Sequence, residues 1–317
     1  MHSLSNLPFE LLTDILTFAL SDPRVTPIPI LLTNHLFYNI ARQCIYTHLH
    51  FTSTRSLRHF IDTLKSHSLE LPHPRTITLK FSGGAADFEV FILLAWVFRR
   101  YASGAMEGLD TNTGSGAPLT LDLDVLNLCL NSHARNPHLR YVYEALSLVN
   151  PRTFIWTGPD PEHHFSTAIV PTATSHLFRA MSTWTQIRHI KLTNLSFPSD
   201  DLGINTTFTL DKPLLPVLPT LQTLYLGQAT MVRPNAIAAM ICLPGQDNLQ
   251  SVRLVDAYRE SIWGSRIRRS DIEKAAVTLQ LGDENTIIPR IRKLVKCEVQ
   301  TERIMGGDRV EGHATLD

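Results

Sequence analysis

The chain has 317 residues, of which 44% are hydrophobic and 18% charged, and its formal net charge at pH 7 is zero. This composition excludes wholesale disorder, and the length predicts two domains or one extended domain. Zero net charge provides no global field that would attract nucleic acid or an anionic membrane, so we expect neither as a partner. The longest apolar run, 90–98, is about half as long as a bilayer-spanning helix requires, so we expect a soluble protein.

The cysteines and the first residues indicate a compartment. The chain has four cysteines, which are Cys44, Cys129, Cys242 and Cys297. They are far apart and form no C-x-x-C pair, which argues against a zinc ribbon, a redox motif and a disulfide-stapled secreted fold. The first 20 residues have acidic side chains and no basic segment, unlike a signal peptide. We therefore expect free thiols and a cytoplasmic or nuclear location, or both.

The first predicted element is an amphipathic helix over 7–20. Its apolar residues recur at three- and four-residue spacing along one stripe, but Phe9 and Phe18 fall off that stripe. After a proline-rich break, the spacing predicts one short and one longer helix with a bend near Asn34. Residues 1–52 are therefore predicted to form a three-helix domain with more apolar side chains than it can bury alone.

Residues 7–16 read Leu-Pro-Phe-Glu-Leu-Leu-Thr-Asp-Ile-Leu. This string resembles the opening of the F-box, L-P-x-E-[LI]-[LIV]-x-x-[IV]-[LF], at every defined position. Residues 31–49 look like the second half of the same motif, and the loop 22–29 between the halves is longer and richer in proline than usual. The resemblance implies an F-box that binds a Skp-type adaptor and, through it, a cullin-RING ubiquitin ligase. It assigns six residues to adaptor binding or to the core of the box: Leu7, Pro8, Leu11, Leu12, Ile15 and Leu16.

The segment after residue 52 alternates strand and helix patterns. The predicted strands are 76–81, 119–123 and 153–156, and the predicted helices are 56–67, 88–101 and 138–149. The helix 88–101 is apolar nearly all round and is expected to be buried. The glycine-rich stretch 103–118 is predicted to be a loop.

Three hexamers in the C-terminal half fit L-x-x-L-x-L, at 187–192, 221–226 and 249–254, with starts 34 and 28 residues apart. This self-similarity resembles the leucine-rich repeat, although the asparagine or cysteine that stacks regular repeats is replaced by leucine or alanine. We therefore predict an α+β or α/β repeat fold, with an irregular leucine-rich-repeat-like domain of short parallel strands and helices at 53–302. A flexible tail is predicted at 303–317.

Several sets of residues are candidates for chemical sites. Asp122 and Asp124 share one face of a strand, but no second carboxylate cluster accompanies them. His163 and His164 lie in a loop and lack the spacing of a zinc helix. The last fifth of the chain is locally basic, through Arg266, Arg268, Arg269, Arg290, Arg292, Lys293 and Lys296. Nearby acids dilute this charge, so a mixed solvated surface is favoured over a nucleic-acid groove. We predict no catalytic, cofactor or metal site.

These patterns favour a non-catalytic substrate receptor of an SCF-type ubiquitin ligase, with an unknown protein substrate bound by the repeat region. Two alternatives stay open. One is a single-domain α/β enzyme in which the N-terminal helices form a cap, since catalytic groups are assembled in space rather than in sequence. The other is an F-box scaffold outside ubiquitin ligases.

Overall fold

The computed structural model describes residues 7–21, 25–66, 72–81, 87–104, 120–160, 166–198, 213–301 and 314–316. Within these ranges the chain forms ten helices and nine strands. The helices are α1 (Phe9–Ser21), α2 (Ile28–Leu31), α3 (His35–Thr47), α4 (Thr54–Ser66), α5 (Val90–Gly104), α6 (Arg140–Leu146), α7 (Pro171–Met181), α8 (Pro234–Cys242), α9 (Arg269–Thr278) and α10 (Glu284–Leu294). The strands are β1 (His48–Phe51), β2 (Thr76–Lys80), β3 (Leu121–Cys129), β4 (Val149–Thr157), β5 (His189–Ser196), β6 (Thr223–Thr230), β7 (Ser251–Val255), β8 (Val295–Val299) and β9 (Ala314–Thr315).

All nine strands belong to one sheet, and their order across the sheet is their order along the chain. Strands β1 to β8 are parallel, and β9 pairs antiparallel with β8. Parallel neighbours need a connection that returns along the sheet, and the helices α4 to α10 lie in these connections. The fold is therefore α/β, with a single eight-stranded parallel sheet.

The two faces of the sheet differ in burial. In β2, Ile77 and Leu79 are fully buried, while Thr76, Thr78 and Lys80 are half-exposed or exposed. Successive side chains of a strand point to opposite faces, so this alternation means that one face is covered and the other is not. We call the uncovered face, on which Thr78 lies, the open face.

Two buried tryptophan side chains pack in the core and donate hydrogen bonds to backbone carbonyls. Trp156 in β4 is fully buried, lies 5.3 Å from the Phe91 ring of α5, and donates its indole N–H to the Leu130 carbonyl at 3.1 Å. Trp184 donates in the same way to the Leu146 carbonyl at 2.9 Å. Both indoles therefore bury a large apolar area while their one polar group keeps a partner.

The N-terminal helices have a small core of their own. Its buried members are Leu12, Leu16, Ile40 and Cys44, and they form a cluster separate from the main core, which runs from Leu49 to Cys297. Strand β1 follows α3 directly and pairs with β2, so it joins the N-terminal helices to the sheet although it falls inside the predicted 1–52 domain.

Most of the predicted elements agree with the structure. The three hexamers end in strands β5, β6 and β7, and the apolar helix predicted at 88–101 is α5. The segment 291–299 contains the end of α10, followed directly by β8. The residues before the second hexamer, 213–218, form no helix.

Two predictions fall largely on residues outside the described ranges. The loop predicted at 103–118 is described only up to residue 104, where α5 ends. Of the tail predicted at 303–317, only 314–316 is described. These three residues are not frayed, because β9 pairs with β8 and the Leu316 N–H donates to the Cys297 carbonyl at 2.7 Å.

Candidate functional site

Exposed large hydrophobic side chains are concentrated in the N-terminal helices. Of the twelve in the described part of the chain, nine lie between Phe9 and Tyr38. We call these nine the N-terminal apolar surface: Phe9, Leu11, Ile15, Phe18, Val25, Ile28, Leu32, Leu36 and Tyr38. Single exposed apolar residues are ordinary on a protein surface, but a concentration of this kind typically marks an interaction site.

The six residues predicted from the motif divide into two sets. Leu12 and Leu16 are 1% and 4% exposed and lie in the small core, with Leu7 packed against them. Leu11 and Ile15 are 50% and 45% exposed. Pro8 is also exposed. The six residues therefore lie together at the N-terminal helices, but some belong to the buried core and others are exposed on the surface.

Local interactions set the orientation of the helices that carry this surface. The Leu12 N–H donates to the Pro8 carbonyl at 3.1 Å, which begins α1 next to the proline. Asn34 is the N-cap of α3, and its side-chain oxygen accepts the Phe37 N–H at 2.9 Å. The bend predicted near Asn34 is this cap. Between the helices, Thr17 Oγ1 lies 3.2 Å from Cys44 Sγ.

A cavity of about 500 Å³ lies where α1 and α3 meet β1. Its lining is mainly apolar and includes Leu20, Tyr46 and Phe60, with His48 as a polar member. The His48 Nδ1 is 2.9 Å from Thr76 Oγ1. Burial, and then the nearby charge of Arg75, lowers the pKa of His48 below its ordinary value. The histidine therefore favours its neutral form near pH 7.

A second region lies at the carboxyl ends of β4 to β8. A cavity of about 290 Å³ there is lined mainly by polar residues, among them Thr157, Lys191, Tyr225 and Asp256. Asn194 and Gln228 also line it; Asn194 donates its side-chain N–H to the Gln228 side-chain oxygen, and both residues are buried. We call this region the polar pocket.

A buried ion pair closes one end of the polar pocket. Asp256 is 1% exposed, and Arg266 Nε lies 3.0 Å from its Oδ1. Its other oxygen accepts the N–H of Gln300 at 3.2 Å and both the N–H and hydroxyl of Thr301 at 2.9 Å. The carboxylate is therefore fully engaged in holding the loop after β7 against the end of β8.

This buried polar row was not predicted from the sequence. Asn194, Gln228 and Asp256 are neighbours across the sheet, and all three have positive φ angles, 58°, 47° and 50°. Each lies seven residues after the start of its hexamer, so the spacings of 34 and 28 residues repeat in the polar residues as well. That offset is the signal that would have found them. The residues that replace the stacking asparagine or cysteine of regular repeats come one position after this row, at Leu195, Ala229 and Ala257.

Other predicted candidates have ordinary partners or fall outside the description. Asp124 forms ion pairs with Arg75 at 2.7 Å and Arg152 at 3.6 Å, and Asp122 accepts a hydrogen bond from Asn150 at 3.1 Å. In the described ranges, no group of three or more metal-ligating side chains is placed to hold an ion. The histidine pair 163–164 lies outside those ranges.

Comparison with known proteins adds no relative. No protein-family model matches the chain, and no curated protein matches its sequence. Among the described residues, no helix is both long and apolar enough to cross a bilayer.

Proposed function

We propose that this chain is an F-box protein, the substrate-receptor subunit of an SCF-type ubiquitin ligase. The observation that carries the proposal is the N-terminal apolar surface, four of whose nine residues lie on α1, the helix that contains most of the F-box-like string at 7–16. A unit that holds most of the exposed large apolar side chains in the described part of the chain needs a partner to cover them. A Skp-type adaptor is the partner that the motif implies.

The division of the motif residues supports this assignment. Leu12 and Leu16 stabilise the small helical core, and burying a leucine contributes about 1.5–3 kcal/mol. Leu11 and Ile15 have half of their surface free, so they are available as interface anchors. We therefore assign Pro8, Leu11 and Ile15 to adaptor binding, and Leu7, Leu12 and Leu16 to the core of the box.

The sheet supports the receptor half of the proposal. Eight parallel strands that follow one another in chain order, with described helices in six of their seven connections, are the arrangement expected of a leucine-rich-repeat-like solenoid. The starts of the hexamers are 34 and 28 residues apart, so the repeats are irregular. An extended open face of this kind suits recognition of a protein substrate, and the chain itself needs no catalytic group.

Reconstitution tests the proposal as a whole. The purified chain is combined with a Skp-type adaptor, a cullin-RING core and ubiquitin-charged E2, and its association and the transfer of ubiquitin are followed. We expect a stable complex and ubiquitin transfer to a co-purified protein. A complex without transfer to any bound protein favours the scaffold alternative, and failure to form a complex refutes the proposal.

One observation favours the enzyme alternative. In open α/β sheets, ligands bind outside the carboxyl ends of the strands, which is where the polar pocket lies. Under this alternative the N-terminal helices are a cap that the rest of the chain needs for folding. Removal of those helices therefore discriminates between the two functions.

A further inference from the structure

Three cations and a tyrosine form one row across the open face. Lys191 in β5 pairs in register with Tyr225 in β6, which pairs with Arg253 in β7, which pairs with Lys296 in β8. Neighbouring strands are about 4.8 Å apart, so the whole row spans roughly 15 Å. Three positive side chains are therefore presented side by side on one polar surface, which we call the cation row.

Tyr225 is held between two of these cations. Lys191 Nζ lies 5.1 Å from the centroid of the tyrosine ring, and Arg253 Cζ lies 5.4 Å from it. Gly227 keeps the space beside the ring free, because a Cβ there would be 2.9 Å from Tyr225 Cε1. The ring therefore positions the charged groups on either side of it.

The cation row has more positive than negative charge. Arg253 forms a two-pronged ion pair with Glu298, in which the Nη2–Oε2 distance is 2.6 Å. Among the residues that the structure describes, neither Lys191 nor Lys296 has an ion pair with a carboxylate. Three cations and one carboxylate on this face of β5 to β8 leave a local charge of +2 in a chain whose formal net charge is zero.

The polar pocket adjoins the cation row through shared residues, Lys191 and Tyr225. Threonine hydroxyls from β4 and β5, at Thr157 and Thr193, also line it. Its volume of about 290 Å³ suits a single side chain, since pockets for drug-sized ligands are about 300–1,000 Å³. The buried Asp256 is already neutralised by Arg266, so the carboxylate that faces an incoming anion is that of Asp160 at the pocket's edge.

We infer that the open face of β5 to β8 binds an acidic segment of a partner protein, with one anionic side chain in the polar pocket and others along the cation row. The inference deepens the proposed function by naming the chemical class of the substrate. It rests on the proposed function only in that it calls the bound partner protein a substrate. Binding of an acidic segment is a property of this face that does not require the adaptor.

A peptide fits this surface better than a nucleic acid. Binding to single strands relies on several aromatic platforms and a basic groove along the backbone, but Tyr225 is the sole aromatic residue in the row and both sides of its ring are occupied by cations. The carboxylates of Asp160 and Glu298 also lie along the path that a phosphate backbone would follow. An acidic peptide needs only a few separated anionic contacts.

The test uses the full chain and a fluorescein-labelled peptide of alternating serine and glutamate, with binding followed by fluorescence anisotropy at low ionic strength. The double variant Lys191→Gln with Lys296→Gln is compared with Lys274→Gln with Lys293→Gln. The control lysines are exposed on α9 and α10, away from the cation row. Each double variant loses two positive charges. We expect the first to weaken binding roughly tenfold and the second less than about twofold.

A third variant tests the position of the bound anion. Asp160→Asn removes the carboxylate at the edge of the polar pocket, and we expect it to tighten binding of the same peptide by roughly twofold. Circular dichroism of each variant checks that the fold is retained.

Three results would overturn the inference. They are no measurable binding of the peptide by the wild-type chain, equal weakening in the two lysine variants, and tighter binding of an oligothymidine of the same charge. None of these depends on the adaptor. If the chain binds the peptide as expected but fails to bind any Skp-type adaptor, the proposed function fails while this inference stands.

Discussion

Leu11 and Leu12 are neighbours in the chain, yet one is half-exposed and the other is buried against α3. A helical stripe predicts that both belong to an apolar surface, but only the position of α3 decides which of them it covers. The motif residues could therefore be found from the sequence, whereas their division into core and surface could not. The buried polar row was missed for a related reason, because its side chains find their partners through the tertiary fold, Asn194 on Gln228 34 residues away and Asp256 on Arg266 and on Thr301 45 residues away.

Leu16→Ala should destabilise the N-terminal helices. Leu16 is 4% exposed, and truncation of a buried leucine costs about 2–5 kcal/mol. Hydrogen exchange of the α1 amides measures the effect, with Leu11→Ala as the control, since Leu11 is 50% exposed. Equal acceleration of exchange in the two variants would show that the small core is not assembled as described.

Asp256→Asn should destabilise the whole sheet. The substitution leaves Arg266 as a buried charge without its carboxylate, and breaking a buried ion pair costs about 3–5 kcal/mol. Urea denaturation measures the free energy of unfolding. The control is Arg259→Gln, which breaks a more exposed pair with Asp271 and should cost at most about 1 kcal/mol. A loss for Asp256→Asn no larger than for the control would contradict the account of the polar pocket.

His176 should make stability depend on pH. Burial, and then the charge of Arg179, lowers its pKa in the folded chain below the ordinary 6.5. The unfolded chain then binds more protons, so this contribution to stability is complete above 6.5 and is lost as the pH falls through that value. We expect the urea midpoint to drop between about pH 7.5 and about pH 5.5, and to drop less in His176→Gln. Identical slopes for the two chains would exclude His176 as a source.

The elements of the C-terminal half are encoded locally. In the first hexamer, Ile190 and Leu192 alternate toward the covered face, and the same pattern repeats in β6 and β7. Elements that depend on pairing with a strand distant in the chain have no such local sequence pattern. Strand β9 has two residues and exists because β8 offers it an edge, and β8 itself follows α10 without an intervening loop. Short apolar runs of this kind fit either a helix or a strand.

Removal of α1 to α3 should leave the sheet folded. The small core and the main core are separate clusters, and the sheet begins at His48. A chain that starts at His48 loses the packing of Tyr46 on Phe60, whose rings are 6.2 Å apart, but keeps every strand pair. We expect one cooperative thermal transition by circular dichroism, a few degrees below that of the full chain. Loss of cooperative unfolding would favour the enzyme with a helical cap.

In the molecule as a whole, the exposed apolar surface and the local positive charge lie in different parts of the fold. The N-terminal apolar surface lies on helices that precede the sheet, and the cation row lies on the last parallel strands. The alternation of helix and strand predicted an α+β or α/β fold with short parallel strands, and the sheet is of the α/β class with eight parallel strands. The motif at 7–16 implies the partner of the first surface, whereas no sequence pattern names the partner of the second.

The adaptor-binding claim is tested most directly by titrating the full chain and two double variants against a Skp-type adaptor by isothermal calorimetry. Leu11→Ala with Ile15→Ala removes two anchors of the N-terminal apolar surface, and Val217→Ala with Val277→Ala removes two exposed apolar side chains elsewhere. We predict that the wild-type chain binds with micromolar or tighter affinity. Because truncating an interface anchor costs about 2 kcal/mol or more, we predict that binding weakens at least about thirtyfold in the first variant only. Absence of binding by the wild-type chain, or equal affinity for all three, would contradict the account.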